Sequence, residues 1–250
     1  MTDNPLLKSF TAPNQAPPFN EIEPHHFVPA LEKAIQQGRK NFDKLKNNPE
    51  PPTFENTIQA HETADETLGQ VLSVYYHLLS ILGGDDLHAL SAEIGTLSSH
   101  YASDINLDPD IFNRIKAVYD QKDDLDLTTE QETLLEETYE SFVRGGALLN
   151  DNDKEKLREI NEQLSLLGPD FMNNVNKSSE QFELWVDDEN DLAGLPDSAK
   201  AGARHAAEEE GKADKWLFTL DIPSYLSLIQ YAEKRDLREK IWRGFSSRAW

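Results

Sequence analysis

No cysteine occurs among the 250 residues, which removes thiol nucleophiles, thiolate metal sites and disulfide frameworks together and fits a reducing compartment. Any metal held here has to use histidine and carboxylates. Basic residues are scarce: 24 Lys and Arg stand against 46 Asp and Glu, a formal net charge of -22. The averaged field of such a chain repels phosphate backbones and anionic headgroups, so neither nucleic acid nor a membrane surface is expected as a partner. Long apolar runs are missing too. The longest, Val71 to Leu82, contains Ser73, His77 and Ser80 and is too short to cross a bilayer. The opening Met1-Thr2-Asp3-Asn4-Pro5-Leu6-Leu7-Lys8 is short of apolar residues and interrupted by proline, unlike the apolar region of a signal peptide, so a cytoplasmic setting is expected. The sequence holds no G-x-G-x-x-G, Walker loop, G-x-S-x-G elbow or D-x-D-x-D-G calcium loop, motifs that would mark nucleotide, acyl-transfer or calcium sites.

What is present is helical periodicity. Residues 1–24 carry Pro5, Pro13, Pro17, Pro18 and Pro24 and read as an extended arm, because proline lacks an N–H and pushes its predecessor toward extended geometry. From Phe27, apolar residues Leu31, Ile35, Phe42 and Leu45 fall on one helical face until Asn47-Asn48-Pro49. Thr53 is placed to cap a second helix, expected to run about thirty residues through Phe54, Ile58, Leu68, Leu72, Tyr75 and Leu79 to Gly83-Gly84. Three more helices follow on the stripes Leu87-Leu90-Ile94-Leu97, Ile111-Ile115-Val118 and Leu134-Leu135-Phe142-Val143, the last opened by a Thr128–Gln131 capping box. Leu157, Ile160, Leu164, Leu167, Phe171 and Val175 form a further stripe, with a kink or break expected at Gly168-Pro169. Phe182–Val186 and Lys215–Leu220 read as strands able to pair as a ribbon, flanking a helix from Pro196 to Glu210. After Pro223 the pattern is helical to an apolar ending, Ile241-Trp242-Arg243-Gly244-Phe245 through Ala249-Trp250, which reads as a chain cut rather than closed.

Candidate chemistry is thin. A zincin needs H-E-x-x-H on one helix, since residues four apart can share an ion; the sequence offers His61-Glu62-Thr63-Ala64-Asp65. Half a site from His61 and Asp65, with Glu62 as base, stands against the plainer reading of a surface-facing helix turn. His25-His26 are adjacent and point about 100° apart on a helix, so a first-turn role or simple exposure is the expectation. His77, His88, His100 and His205 are read as lying on separate helices, as surface or partly buried residues. The acidic clusters Asp85-Asp86, Asp123-Asp124, Asp187-Asp188-Glu189 and Glu208-Glu209-Glu210 are expected at loops and helix ends. No residue is assigned a catalytic, metal-binding or cofactor-binding role.

Several stretches nonetheless carry a resemblance. They are Asn4-Pro5-Leu6-Leu7, His26-Phe27-Val28-Pro29-Ala30-Leu31-Glu32, Pro51-Pro52-Thr53-Phe54-Glu55-Asn56-Thr57-Ile58, Tyr139 to Ala147, Leu192 to Pro196, Asp221 to Leu226 and Leu237 to Trp242. Together they resemble the N-terminal part of the M3 family of zinc metallopeptidases, of the peptidyl-dipeptidase and oligopeptidase type; the Pro-Pro-Thr-Phe-Glu-Asn-Thr-Ile block is the most specific. Gly168-Pro169 departs from the family pattern. The resemblance implies a mainly α fold, the helical N-terminal lobe of a bi-lobed shell around a channel, with a small two-stranded β element. It implies zinc in the full-length parent, held downstream by an H-E-x-x-H helix and a further Glu, and short peptides as substrates. This stretch would then be inactive alone, binding no zinc, with its own C-terminal catalytic domain as partner. The expected division is 1–24 arm, 25–181 helical domain, and 182–250 ribbon plus helices leading into the catalytic domain. Two other readings stay open: a free-standing acidic helical module that binds peptides or proteins without catalysis, and a metal site built on His61, Glu62 and Asp65 with a ligand from another helix.

Overall fold

The computed structural model describes residues 4–249; the first three residues of the arm and the closing Trp250 lie outside the described residues. The chain divides into two compact units, Met1–Leu166 and Leu167–Trp250, each with its own apolar core.

The first unit is built around α1, Phe27–Lys46. Its stripe of Phe27, Leu31, Ile35, Phe42 and Leu45 is buried as the spacing requires, each large side chain contributing about 2–3 kcal/mol of burial. Around it pack α3, Glu66–Ile81; α4, Asp85–Asn106; and α5, Pro109–Tyr119, with α6, Thr129–Arg144, seated on α5. The Thr128–Gln131 capping box forms as expected, Gln131 N donating to Thr128 Oγ1 and Thr128 N to Gln131 Oε1. Gly83 and Gly84 end the α3 segment with φ of 58° and 85°, backbone that a side chain resists and glycine accepts. The N-terminal segment is tied to this core: Leu6 is fully buried, and its carbonyl accepts from Gln70 Nε2 at 2.9 Å.

The single helix expected from Thr53 to Leu82 is not one helix. Thr53 caps it, accepting from Asn56 N at 3.2 Å, but Phe54–Gln59 is a π-helical turn that passes into α2, Ala60–Glu62. Thr63–Asp65 is then a turn, and Asp65 has φ -129° and ψ 29°, outside the helical region. The break is held from outside, since Asn41 Nδ2 of α1 donates to the Ala64 carbonyl at 2.7 Å and satisfies an acceptor that the ladder has released.

α7, Asp151–Glu180, runs from the first unit into the second. Of the kink or break expected at Gly168-Pro169, the break does not occur: Pro169 sits inside one helix, Asp151–Glu180. Proline's fixed φ is itself helical, so the chain can carry it through at the loss of one backbone hydrogen bond. In the first unit the Lys154 ammonium donates to the Leu107 carbonyl at the end of α4, 3.1 Å away, as a cation does at a helix C-terminus.

The second unit pairs β1, Leu184–Val186, antiparallel with β2, Trp216–Phe218, with Leu184 opposite Phe218 and Val186 opposite Trp216. The ribbon expected from sequence is thus present, with narrower strands. Leu184 and Val186 turn inward, while Trp185 carries Lys212 Nζ 3.8 Å above its ring. α8, Asp197–Glu209, packs on β2, followed by α9, Ile222–Tyr231, and α10, Arg235–Ser246. Tyr225 of α9 stacks on Phe245 of α10 at 4.1 Å between ring centroids.

Candidate functional site

The turn at Thr63–Asp65 decides what His61, Glu62 and Asp65 can do. With the helix interrupted between them, His61 and Asp65 lose the continuous four-residue spacing that chelation on one face requires. Nor is His61 surface-facing. Its ring is flanked by Phe42 and Phe142, each edge-on at 5.4 Å between centroids, and its buried Nδ1 has no hydrogen-bond partner. Burial pushes the imidazole down to about 4, because an apolar setting penalises the charged form. Glu62, by contrast, is exposed. Burial raises the Asp65 carboxyl. The same cause, followed by the Asp65 charge, raises the Tyr101 hydroxyl, although no well-formed hydrogen bond satisfies that hydroxyl. Tyr101 lies so close against Gly38 of α1 that any Cβ there would collide with its hydroxyl. This is a packed helix junction containing polar groups. Among the described residues no three His, Asp or Glu converge to hold a metal ion, and His61, Glu62 and Asp65 do not fit a zinc site.

The remaining histidines occupy first-turn or surface positions. His26 Nδ1 accepts from Glu23 N at 3.0 Å and His25 Nδ1 lies 3.1 Å from the Glu23 carboxylate, a first-turn capping arrangement. His77 is on α3 and His205 on α8, both exposed. His88 and His100 are not on separate helices: both belong to α4, where twelve residues of α-helix set them about 18 Å apart. His100 faces Glu162 at 3.5 Å. The acidic clusters serve helix ends, with Asp85 and Asp86 in the first turn of α4 and Asp188 accepting from Asn190 N at 2.9 Å.

Two features passed unremarked in the sequence. Arg114 of α5 gathers the segment around the Pro-Pro-Thr-Phe-Glu-Asn-Thr-Ile block: its Nη1 donates to the Asn48 carbonyl at 2.9 Å and the Glu50 carbonyl at 3.3 Å, and its Nη2 to Asn56 Oδ1 at 3.1 Å. A proline-rich loop has few backbone donors of its own, and a guanidinium can collect its carbonyls. The second feature is an open cleft of about 460 Å³ in the second unit, lined by Ile229, Arg235, Arg238, Glu239, Trp242 and Arg243. Its signal was legible, since residues 235, 238, 239 and 242 share one helical face.

Apolar surface is also left open on α7, where Ile160, Leu164, Leu167 and Phe171 are each more than half exposed. No helix among the described residues is long and apolar enough to cross a membrane.

The described residues thus combine a helical architecture, a histidine packed between two phenylalanines and an open apolar helix face. Over nearly its whole length the chain is homologous to part of proteins named as peptidases of the M3 family. Oligopeptidase A of Escherichia coli strain K12 is 32% identical over 246 residues, covering 98% of this chain and 35% of that protein. Dipeptidyl carboxypeptidase of the same strain is 33% identical over 241 residues, covering 96% and 35%, and the probable cytosolic oligopeptidase A of Arabidopsis thaliana is 29% identical over 255 residues. The chain spans about a third of the length of the curated relatives it matches. No protein-family model matches it.

Proposed function

We propose that this chain is the N-terminal, non-catalytic part of a zinc metallopeptidase that hydrolyses short peptides, as a dipeptidyl carboxypeptidase or an oligopeptidase. The observation that carries the reading is the match of 98% of this chain to 35% of a peptidase. Residues outside this stretch would hold the zinc, which when bound would supply an activated water and polarise a carbonyl. These residues supply helical wall and packing surface, are inactive alone, and divide at about residue 181 into a helical domain and a segment that leads into the catalytic domain. The cytosolic relative in A. thaliana supports a cytoplasmic setting.

The test is to extend the reading frame past Trp250 and assay the longer product for zinc content and for dipeptide release from a short blocked peptide. An H-E-x-x-H downstream with zinc-dependent cleavage is the expected result. Neither zinc nor cleavage would leave the other reading, a helical peptide- or protein-binding module.

A further inference from the structure

The last helix has a charge opposite to that of the molecule. Residues 234–250 carry six Lys and Arg against two Asp and Glu, in a chain whose net charge is -22. Leu237 and Ile241 point α10 into the core. The face that carries residues 235, 238, 239 and 242 lines the open cleft with Ile229 of α9.

Within that cleft the charges are unequally satisfied. Arg243 Nη2 pairs with Glu239 at 2.8 Å, and Arg238 donates to the Ala232 carbonyl and to the Glu233 carbonyl, the latter at 3.0 Å. Among the described residues the side chain of Arg235, which is exposed, makes no ion pair or hydrogen bond. Trp242 is 49% exposed beside it, and Leu226 and Ile222 continue the apolar surface along α9 at 40% and 53%. An exposed indole with a guanidinium rim is the composition of an interface centre, where tryptophan and arginine are enriched.

We infer that this face of α9 and α10 is a docking surface for an acidic segment of the polypeptide that lies beyond residue 250, an inference that rests on the proposed longer peptidase. Charge complementarity selects the chemistry. A second copy related by a two-fold axis would set this cationic face against itself, and the field of a -22 chain lowers the encounter rate of any separate polyanion, a cost that a segment tethered to the same chain avoids. A small anion alone would leave Trp242 and Ile229 uncovered. Length selects the source: relatives matched over only 35% of their residues have ample further chain, and a tethered segment docks at an effective concentration of about millimolar.

The absence of cysteine makes the test direct. Leu226→Cys places the one thiol of these 250 residues on the exposed stripe, and maleimide modification of the peptide that carries it is followed by mass spectrometry in the 250-residue chain and in the product extended past Trp250. The surface predicts modification about tenfold slower in the longer product, and recovery of at least about threefold on adding Arg235→Glu with Arg243→Glu or on raising the salt. Equal rates in a longer product that binds zinc and cleaves peptides would overturn the docking and leave the peptidase reading intact. A slow rate indifferent to charge reversal and salt would overturn the acidic occupant. Slow, charge-dependent labelling in a product without zinc or cleavage would support the docking while removing the peptidase reading. Circular dichroism of each variant establishes that the helices are retained.

Discussion

Acidification from pH 7 to pH 4 should destabilise the first unit through His61. Its folded-state value of about 4 lies below the ordinary 6.5, because burial beside Phe42 and Phe142 penalises the charged ring. The unfolded chain therefore takes up a proton at a higher pH than the folded one. The stability from keeping this imidazole neutral is complete above pH 6.5 and is lost as pH falls toward about 4. At pH 5 the linkage relation gives a loss of about 2 kcal/mol, rising to about 3 kcal/mol below pH 4. Asp65 nearby moves the other way, since burial raises its carboxyl and it becomes less costly to keep folded as it is protonated. Urea unfolding of the wild type and of His61→Gln, followed by far-ultraviolet circular dichroism at several pH values, separates the two, because the variant keeps Asp65 and loses the titrating ring. The expected result is that the stability difference between the proteins narrows by about 2 kcal/mol between pH 7.5 and pH 5. A constant difference across that range would refute the sealed, neutral imidazole.

Three further perturbations follow from the packing. Arg114→Met removes the donors to Asn48, Glu50 and Asn56 and should cost about 2–4 kcal/mol in urea unfolding, with earlier proteolysis in the loop at Asn47–Thr53; unchanged stability would mean water serves those carbonyls equally well. Gly38→Ala drives a methyl into the Tyr101 hydroxyl and should cost about 1–3 kcal/mol, whereas Gly38→Ala with Tyr101→Phe should recover part of it by relieving the collision. Pro169→Ala restores a backbone donor inside an unbroken helix and should raise stability by as much as about 3 kcal/mol; a drop in helicity on substitution would contradict the continuity of α7.

The parts of the fold legible in the sequence are those encoded locally. Phe27, Leu31, Ile35 and Phe42 specify α1 by their own spacing, and Thr128 and Gln131 specify the start of α6 through a hydrogen-bond exchange three residues apart. The turn at Thr63–Asp65 was not legible, because each residue there tolerates a helix and the interruption is held by Asn41, a residue of another helix. At Pro169 the local signal for a chain break was overridden by the helix on either side. The environment of His61 depends on Phe142, far along the chain, so no window around the histidine distinguishes a surface turn from a buried ring. The absence of a complete H-E-x-x-H among these residues was readable directly. The cationic cleft on α10 was spelled out in its periodicity and masked by the acidity of the whole.

The burial of Leu6 against α3 has a consequence for synthesis. Its carbonyl meets Gln70, 64 residues later, and at about 5–20 residues per second that partner follows after roughly 3–13 seconds of translation. The nascent chain thus carries its first apolar anchor in the open while α1 and the whole π-helical turn are made. A chaperone at the ribosome exit would meet Leu6 before α3 does.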